Sequence, residues 1–176
     1  MFLEVQSSDL AWAKLLRPKE VVDERGYLVE TFNARTYAEA GVDCVFVQDN
    51  QSLSRKAGTI RGLYCQLPPA AQSKLVRILR GSVFDVVVDL PVGGPTYGRW
   101  CSAVLTGQEW EQDFIPCGFA HGFCTLEPDT EVTYKVDNFY APSCAAGIWW
   151  DAVISEKDSG LPFFKDFVSP FCMRSL

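Results

Sequence analysis

Short apolar segments separated by turn-forming residues extend along most of the chain. They are rich in β-branched and aromatic residues, with Gly, Pro, Asp or Ser between them, which is typical of β-strands joined by turns. The segments are VVDERGYLVETF, CVFVQDNQSLS, TIRGLYCQL, KLVRILRG, SVFDVVVDL, RWCSAVLT and EVTYKV. Their spacing predicts an all-β protein, either an antiparallel sandwich or a barrel.

The alternation of residues within these segments assigns side chains to faces, because residues two apart on a strand point the same way. In VFDVVVDL the even positions from Phe84 to Leu90 form an apolar face, whereas Asp85 shares the other face with valines. That mixed face fits either a solvated edge or the polar interior of a ligand-holding barrel. In EVTYKV, Tyr134 lies with the apolar set, where its hydroxyl needs a polar partner.

Helix and turn signals are fewer. Asn33 predicts the N-cap of a short helix that Gly41 ends. LRGSV predicts a tight hairpin between KLVRIL and VFDVVVDL, and LEPDTEV predicts a second hairpin.

Length and composition restrict the class of protein. The 176 residues fit one domain spanning residues 1–176, and 48% hydrophobic with 22% charged residues exclude a disordered or fibrous chain. A net charge of -6 argues against nucleic acid as a partner. We expect no membrane association and a cytoplasmic location, because no apolar run approaches the roughly 20 residues of a membrane span and no signal peptide is evident.

Metal ligands are scarce in the sequence. His121 is the only histidine, whereas catalytic zinc and non-haem iron sites usually use two or more imidazoles. The seven cysteines include no paired zinc-knuckle spacing, and their number is odd. We therefore predict no metal and no cofactor, with the cysteines as buried thiols.

Several motifs together resemble one family, the dTDP-4-dehydrorhamnose 3,5-epimerases. The motifs are ERGYLVETF, FVQDNQSLS, the run from TIRGLYCQL to PTYGRW, FIPCGFAHGF and VTYKVDNFYAP. The similarity extends from about Val21 to Tyr140, and SEKD at Ser155 to Asp158 is similar to the family's C-terminal motif. The resemblance implies a cupin-type jelly roll with few short helices, and a homodimer that exchanges its N-terminal strand region. It also implies a metal-free site for a nucleotide-diphospho-4-keto-6-deoxyhexose, linked to thymidine or cytidine.

The reaction of that family makes two chemical demands. A hydrogen next to a ketone becomes acidic only when the enolate oxygen is stabilised, and Lys74 in KLV matches the family's lysine for this role. Inversion of the carbon then needs a base on one face of the sugar and a proton donor on the other. Tyr134 matches the family's donor.

The base is where the chain departs from the family. The family has histidine after RGL, and this chain has Tyr64. A tyrosine with an ordinary pKa of about 10 is a phenolate in about one molecule in a thousand at pH 7, a deficit of roughly 4 kcal/mol. Asp158, which matches the carboxylate that orients the missing imidazole, would have Tyr64 as its remaining partner. His121, which the resemblance places in the binding pocket, is the other neutral base available.

The resemblance also implies a set of substrate-binding residues, in which arginine forks suit diphosphate oxygens. The set is Arg25, Glu30, Gln48, Asn50, Arg61, Asp85, His121 and Tyr140, of which Tyr140 is expected to stack on the nucleotide base.

Three functions fit these residues. The first is an epimerase acting at a single carbon, C3 or C5, with Lys74, Tyr134 and a rearranged base. The second is an altered isomerase of the same substrate class, in which Tyr64 takes a new role. The third is a non-catalytic relative that binds the nucleotide sugar but has lost its base.

Overall fold

The computed structural model describes residues 3–7, 10, 13–149 and 160–172, and β-strands dominate these ranges. The strands are β1 (Leu3–Ser7), β2 (Lys14–Pro18), β3 (Glu20–Asp23), β4 (Gly26–Val29), β5 (Gln48–Ser54), β6 (Ile60–Gln66), β7 (Lys74–Arg80), β8 (Ser82–Asp89), β9 (Trp100–Thr106), β10 (Gln112–Ile115), β11 (Phe119–Thr125), β12 (Thr130–Val136) and β13 (Ala145–Gly147). Helix α1 spans Ala34–Glu39, and single 3₁₀ turns span Pro142–Cys144 and Phe164–Asp166.

Two antiparallel sheets form a sandwich. The six-stranded sheet has the order β1-β2-β10-β7-β12-β5, and the five-stranded sheet has the order β13-β6-β11-β8-β9. Strands β3 and β4 form a separate two-stranded hairpin. Strands that follow one another in sequence repeatedly lie in different sheets, as in a jelly roll. The prediction of an all-β, cupin-type jelly roll with few short helices is confirmed.

The main hydrophobic core fills the space between the two sheets. Its buried members come from both sheets and include Val76, Ile78, Val83, Val87, Leu105, Ile115, Phe119, Phe123 and Val132. Tyr134 packs against this core, as the alternation of EVTYKV predicts. Strand alternation therefore directs these β7, β8, β11 and β12 side chains to one shared interior.

Helix α1 covers the outer face of the six-stranded sheet. The Asn33 side chain accepts hydrogen bonds from the backbone N–H groups of Arg35 and Thr36 at its N-terminus. Gly41 follows with a positive φ of 78°. Both ends of the helix therefore agree with the prediction, and buried Tyr37 packs there with Leu16, Leu75 and Phe114.

The two predicted hairpins are wrong. Strand β7 pairs with β10 and β12, whereas β8 pairs with β9 and β11, so LRGSV connects the two sheets. LEPDTEV likewise leads from β11 in one sheet to β12 in the other. A short link of turn-forming residues fits a hairpin and a sheet-to-sheet corner equally well, and pairing elsewhere decides between them. At the first corner a Cβ on Gly81 would lie 2.5 Å from Thr130 Oγ1, so only glycine fits.

Both faces of β8 are buried. Val83, Asp85 and Val87 point between the sheets, and Asp85 is 0% exposed. Val86, Val88 and Leu90 point outward and are covered by Ile148, Phe164 and Phe171. The structure thus selects the barrel interior for Asp85 over the solvated edge.

Two glycines bring β6 and β11 unusually close together. A Cβ on Gly62 would lie 2.4 Å from Gly122 Cα, and Gly62 has a φ of 145°. The pairing shifts register here, between His121 and Phe123. This contact fixes Tyr64 and His121 directly opposite each other across the two strands.

Candidate active site

The candidate site is an inner cavity of about 150 Å³ between the two sheets. Its lining residues are Ser52, Arg61, Tyr64, Lys74, His121, Phe123 and Tyr134. An outer cleft of about 590 Å³ shares four of them, Arg61, Tyr64, Lys74 and Tyr134, and adds Gln66, Gln72, Cys65 and Tyr140 among others. A small inner chamber and a larger cleft leading to it are therefore continuous.

The six-stranded sheet provides Lys74 and Tyr134. Strands β7 and β12 pair so that Lys74 lies opposite Val136 and Tyr134 lies opposite Val76. The two side chains are therefore diagonal neighbours on the inner face of this sheet. Lys74 Nζ donates a hydrogen bond to the backbone carbonyl of Tyr64 at 3.3 Å, so it reaches across to the facing sheet.

Burial tunes both groups. It lowers the pKa of Lys74 to about 8, against the opposing influence of Cys65 and Asp85. Most Lys74 side chains remain ammonium ions at pH 7. Burial raises the pKa of Tyr134 above its ordinary value, partly offset by the cation of Arg61. Tyr134 therefore keeps its proton and suits the role of donor rather than base.

The five-stranded sheet provides Tyr64 and His121. Tyr64 lies on β6 and His121 on β11, as cross-strand partners on the same face. Both line the inner cavity, facing Lys74 and Tyr134. Two facing sheets lie about 10 Å apart, so a sugar ring between them would have the two pairs of side chains on opposite sides.

His121 is paired with Asp85. The imidazole Nε2 lies 2.8 Å from Asp85 Oδ1, and both side chains are buried. Burial raises the pKa of Asp85 to about 8, whereas interactions with Asp113 and Lys74 lower it. Burial lowers the pKa of His121 to about 3, and the positive charge of Lys74 acts in the same direction. His121 is therefore a neutral imidazole at pH 7.

Asp113 is a buried carboxyl that the sequence analysis missed. It lies on β10 opposite Val76 and is 8% exposed. Burial, and then the neighbouring charge of Asp85, raise its pKa well above the ordinary range. The signal was present in QDFI, because alternation places Asp113 and Ile115 on one face and Ile115 is plainly apolar.

Arg61 spans the inner cavity and the outer cleft. Its Nε donates to Ser54 Oγ at 3.1 Å, and one terminal nitrogen lies 3.4 Å from the carbonyl of Leu53. No carboxylate pairs with Arg61 in the described part of the chain. Its remaining N–H groups are thus available for an anionic ligand.

Three further predicted binding residues gather beside the cleft. Gln48 Nε2 donates to Asn50 Oδ1 at 2.8 Å, and Gln48 Oε1 accepts from the backbone N–H of Tyr140 at 3.0 Å. Asn50 lies opposite Tyr134 in the β5–β12 pairing. Tyr140 lines the cleft and is 58% exposed, which leaves its ring face free to stack.

Two predicted binding residues are not brought to the site. Arg25 lies at the turn of the β3–β4 hairpin, where its guanidinium pairs with Asp23. Glu30 directly follows β4. Neither residue lines the inner cavity or the outer cleft. The predicted catalytic residue Asp158 lies outside the described residues.

The described residues give less support for other kinds of functional site. An apolar groove of about 430 Å³ on the outer face of the five-stranded sheet is lined by Phe84, Val88, Trp100, Trp149 and others, without a titratable group. No cluster of three or more His, Cys, Asp or Glu side chains within residues 3–7, 10, 13–149 and 160–172 could hold a metal ion. In the same ranges no helix is long and apolar enough to cross a membrane.

The fold and the cavity together define a class: a cupin-type β-sandwich with an acid–base pocket of the carbohydrate epimerase kind. Comparison with known proteins narrows this class. The sequence profile described as dTDP-4-dehydrorhamnose 3,5-epimerase matches residues 7–166. The dTDP-4-dehydrorhamnose 3,5-epimerase of Sinorhizobium fredii is 46% identical over 170 residues, covering 89% of this chain and 87% of its own length.

Solved structures agree with this assignment. That of the Bacillus anthracis dTDP-4-dehydrorhamnose 3,5-epimerase with TDP and PPi bound superposes with a TM-score of 0.90 at 39% identity, covering 93% of this chain and 100% of that one. A 3′-monoepimerase from Streptomyces bikiniensis in complex with dTDP-quinovose superposes with a TM-score of 0.80 at 26% identity, covering 89% and 85%. The chain belongs to the dTDP-4-dehydrorhamnose 3,5-epimerase family. The predicted resemblance and the predicted isomerase class are thereby confirmed.

Proposed function

We propose that this protein epimerises a dTDP-linked 4-keto-6-deoxyhexose at a single carbon, C3 or C5, next to the ketone. The observation that carries the proposal is the division of acid–base groups between two walls. Lys74 and Tyr134 lie on one sheet, and an imidazole lies on the facing sheet, around one cavity. Inversion of a carbon needs this arrangement, because the proton leaves from one face and returns to the other.

Lys74 supports the first half of the reaction. When the C–H bond beside the ketone breaks, negative charge develops on the ketone oxygen. An ammonium ion in a water-poor cavity stabilises that charge far more than it would in water. Burial lowers the pKa of Lys74 because its ammonium is removed from water, and a negative charge developing beside it replaces part of that lost solvation.

Tyr134 supports the second half of the reaction. Its hydroxyl faces the inner cavity from the six-stranded sheet, and its raised pKa keeps it protonated in the resting enzyme. Proton transfer to the enolate carbon leaves a phenolate, which the nearby cation of Arg61 stabilises.

Restriction to one carbon follows from the number of acid–base pairs. C3 and C5 lie on either side of the carbonyl carbon. One base and one donor at fixed positions can therefore act on only one of these carbons, unless the sugar rotates in the cavity. The described lining offers one imidazole, His121, with Tyr134 on the facing wall, and Tyr64 occupies the position at which the family has its histidine. The 3′-monoepimerase noted above shows that this fold accommodates single-carbon action.

The outer cleft fits the nucleotide part of the substrate. Arg61 presents unpaired N–H groups for the diphosphate, and Tyr140 presents an exposed ring for the base. Gln48 and Asn50 are held to each other and to the Tyr140 backbone, which preorganises this edge. The Bacillus anthracis relative binds TDP, which supports thymidine as the nucleoside.

A homodimer completes the proposal. The β3–β4 hairpin exposes Val21, Val22, Tyr27 and Leu28 by 55–68%, more apolar surface than an isolated hairpin normally leaves to water. Arg25 at its turn is remote from the lining of its own cavity. We infer that this hairpin packs on a second copy of the chain and brings Arg25 to the partner's nucleotide cleft. Analytical ultracentrifugation tests this inference, since a monomeric sedimentation coefficient at micromolar concentration would contradict it.

The function is tested by incubating the protein with dTDP-4-keto-6-deoxyglucose in deuterated water and counting incorporated deuterons by mass spectrometry. We expect one deuteron, with its position at C3 or C5 assigned by NMR. Two deuterons would show exchange at both carbons and contradict action at a single carbon. No deuteron, with dTDP binding measured by calorimetry, would refute the enzymatic proposal.

A second candidate is a non-catalytic protein that binds the nucleotide sugar. Tyr64 favours it, because a tyrosine is a poor replacement for an imidazole base. This candidate predicts binding of dTDP-sugars with no exchange in the same experiment.

A further inference from the structure

The proposed epimerase needs a base on the wall opposite Tyr134, and the structure offers two side chains there. Tyr64 and His121 are cross-strand partners, with Cβ atoms about 5 Å apart. An imidazole on β11 therefore reaches nearly the same part of the cavity as a side chain at position 64. A neutral imidazole accepts a proton more readily than a neutral phenol does, and an ionised Asp85 beside it counteracts the burial that lowers the pKa of His121.

His121 has the contacts of a base held in one orientation. Nε2 is 2.8 Å from Asp85 Oδ1, and its second nitrogen, Nδ1, makes no hydrogen bond with any described residue. The ring lines the inner cavity. A carboxylate on one imidazole nitrogen fixes the tautomer and stabilises the imidazolium that forms when the other nitrogen takes a proton.

Asp85 is in turn controlled from the opposite sheet. It lies on β8, is 0% exposed, and its second oxygen, Oδ2, accepts no hydrogen bond from an N–H or hydroxyl group of the described residues. Asp113, a second buried carboxyl on β10, forms a side-chain hydrogen bond with Asp85. Two carboxyls this close in a dry interior do not both ionise, so one retains a proton.

We propose that His121 is the catalytic base of this protein, with Asp85 as its orienting carboxylate and Asp113 as a positioning residue that holds the proton of the carboxyl pair. This inference rests on the proposed epimerase function. It assigns to Asp113 a role in catalysis and places the base one strand away from Tyr64.

The proposed step balances. The substrate C–H bond breaks as a bond from that hydrogen to His121 Nδ1 forms, and the electron pair moves to the ketone oxygen beside Lys74. The Nε2 proton shifts toward Asp85 Oδ1. The Tyr134 hydroxyl then protonates the carbon from the facing wall. The proton held by His121 and Asp85 leaves to solvent, and solvent reprotonates Tyr134.

The pH dependence follows from the groups that face Asp85. These are His121 from β11, Lys74 from β7, Asp113 from β10 and, on the same face of β9, Cys101. Asp85 must be ionised to receive the imidazole proton. Since its pKa is about 8, exchange should rise with pH up to about 8. Loss of the Lys74 ammonium, whose pKa is also about 8, opposes that rise at higher pH.

Asp113 permits a matched pair of variants. As a protonated carboxyl beside Asp85 it lowers the pKa of that group. Asp113→Asn keeps a donor at this position, whereas Asp113→Leu removes it. We expect Asp113→Leu to shift the ascending limb of the pH profile of kcat/KM upward by about one unit, and Asp113→Asn to shift it less. If Asp113 is merely structural, its substitution lowers activity without moving the ascending limb. Ascending limbs at the same pH in both variants would overturn the role of Asp113.

The role of His121 is tested by substrate deuterium exchange in His121→Asn and Tyr64→Phe, with dTDP affinity measured in each variant. We expect His121→Asn to slow exchange by about 10²–10⁴-fold, and Tyr64→Phe to slow it by much less. A larger loss in Tyr64→Phe than in His121→Asn would overturn the proposal. If the native protein exchanges and His121→Asn exchanges equally fast, the inference fails and the proposed function stands. If the native protein binds dTDP but does not exchange, both fail.

A measurement without substitution covers the case in which the variants do not fold. His121 is the only histidine, so its ring nitrogens are assigned directly in a ¹⁵N-histidine NMR spectrum of the native protein. We expect a neutral ring with the proton on Nε2 at pH 9, where Asp85, with a pKa of about 8, is ionised and accepts a hydrogen bond from that nitrogen. A proton on Nδ1 would overturn the proposal, because that nitrogen would then have no lone pair for the substrate proton.

Discussion

Replacing Lys74 with methionine should inactivate the protein and stabilise it at the same time. Methionine has a similar length and volume but carries no charge, so the β7–β12 packing is preserved. The enolate loses its stabilising cation, and loss of a single oxyanion-stabilising group typically costs 10²–10³-fold in rate. The folded protein, however, no longer buries an ammonium ion.

The expected gain in stability follows from the pKa of Lys74. Burial lowers it from 10.5 to about 8, and at 1.36 kcal/mol for each tenfold change the ammonium form is destabilised in the fold by about 3 kcal/mol. Lys74 also offsets part of the charge of Asp85, so the net gain is smaller, about 1–3 kcal/mol. For a chain of this length that corresponds to a rise in Tm of roughly 2–10 °C.

The sign of the pH effect provides a second check. The folded state holds the Lys74 proton less tightly than the unfolded state, so the penalty is fully present below about pH 8 and disappears as pH rises toward 10.5. Calorimetric Tm values of Lys74→Met and the native protein should therefore differ at pH 7 and converge above pH 10.

The neighbouring surface residue Lys135 provides the control. Its ammonium pairs with Asp49 at 3.0 Å on the outside of the same sheet, so Lys135→Met should change stability by less than about 1 kcal/mol and leave exchange intact. A Lys74→Met protein that melts below the native protein at pH 7, or that exchanges substrate hydrogen at the native rate, would refute the reasoning.

Three further substitutions test the remaining parts of the site. Tyr134→Phe should retain deuterium exchange but slow inversion by about 10²–10⁴-fold, because the enolate is then reprotonated from the face that lost its proton. NMR of the recovered sugar distinguishes exchange from inversion, and inversion at the native rate would exclude Tyr134 as the donor. Arg61→Ala should weaken dTDP binding by roughly 10–100-fold in calorimetry. An unchanged affinity would show that the diphosphate does not bind at this end of the cleft. Gly62→Ala should destabilise the fold by more than about 2 kcal/mol in urea titration, since its Cβ would lie 2.4 Å from Gly122 Cα. Gly26→Ala is its control, with a φ of 129° close to the 145° of Gly62 but nothing within 4 Å, and equal losses in both would contradict the close-approach argument.

The sequence correctly predicts those features of the fold that depend on residues close together in the chain. Alternation placed Tyr134 with the apolar set, and the Asn33 and Gly41 signals gave both ends of α1. The two corners were predicted wrongly because short turn-forming links, Gly81 in one and Pro128 and Asp129 in the other, permit either a hairpin or a change of sheet. Which one forms depends on partners far along the chain, β10 for β7 and β11 for β8.

The electrostatic part of the site was not readable from the sequence. Alternation left Asp85 either solvated or inside the barrel, because a mixed face fits both. The assembled sandwich settles this, because His121 on the adjacent strand and Lys74 and Asp113 on the facing sheet surround the carboxyl. The pKa values of these groups are properties of the assembled interior, and no segment of the chain carries them alone.

Placing these charges together explains why an interior with two carboxyls can fold. Near pH 8, the pKa of both Asp85 and Lys74, an ionised Asp85 and the Lys74 ammonium have opposite signs, and Asp113 stays neutral by keeping its proton. The resting cluster is thus close to electroneutral, with His121 uncharged between it and the cavity. When the substrate proton enters, the new positive charge on this wall and the enolate charge near Lys74 arise together. The charge distribution in the cavity therefore changes during the reaction, while its net charge stays nearly constant. Under this condition a water-poor site can transfer a proton with a small free-energy barrier.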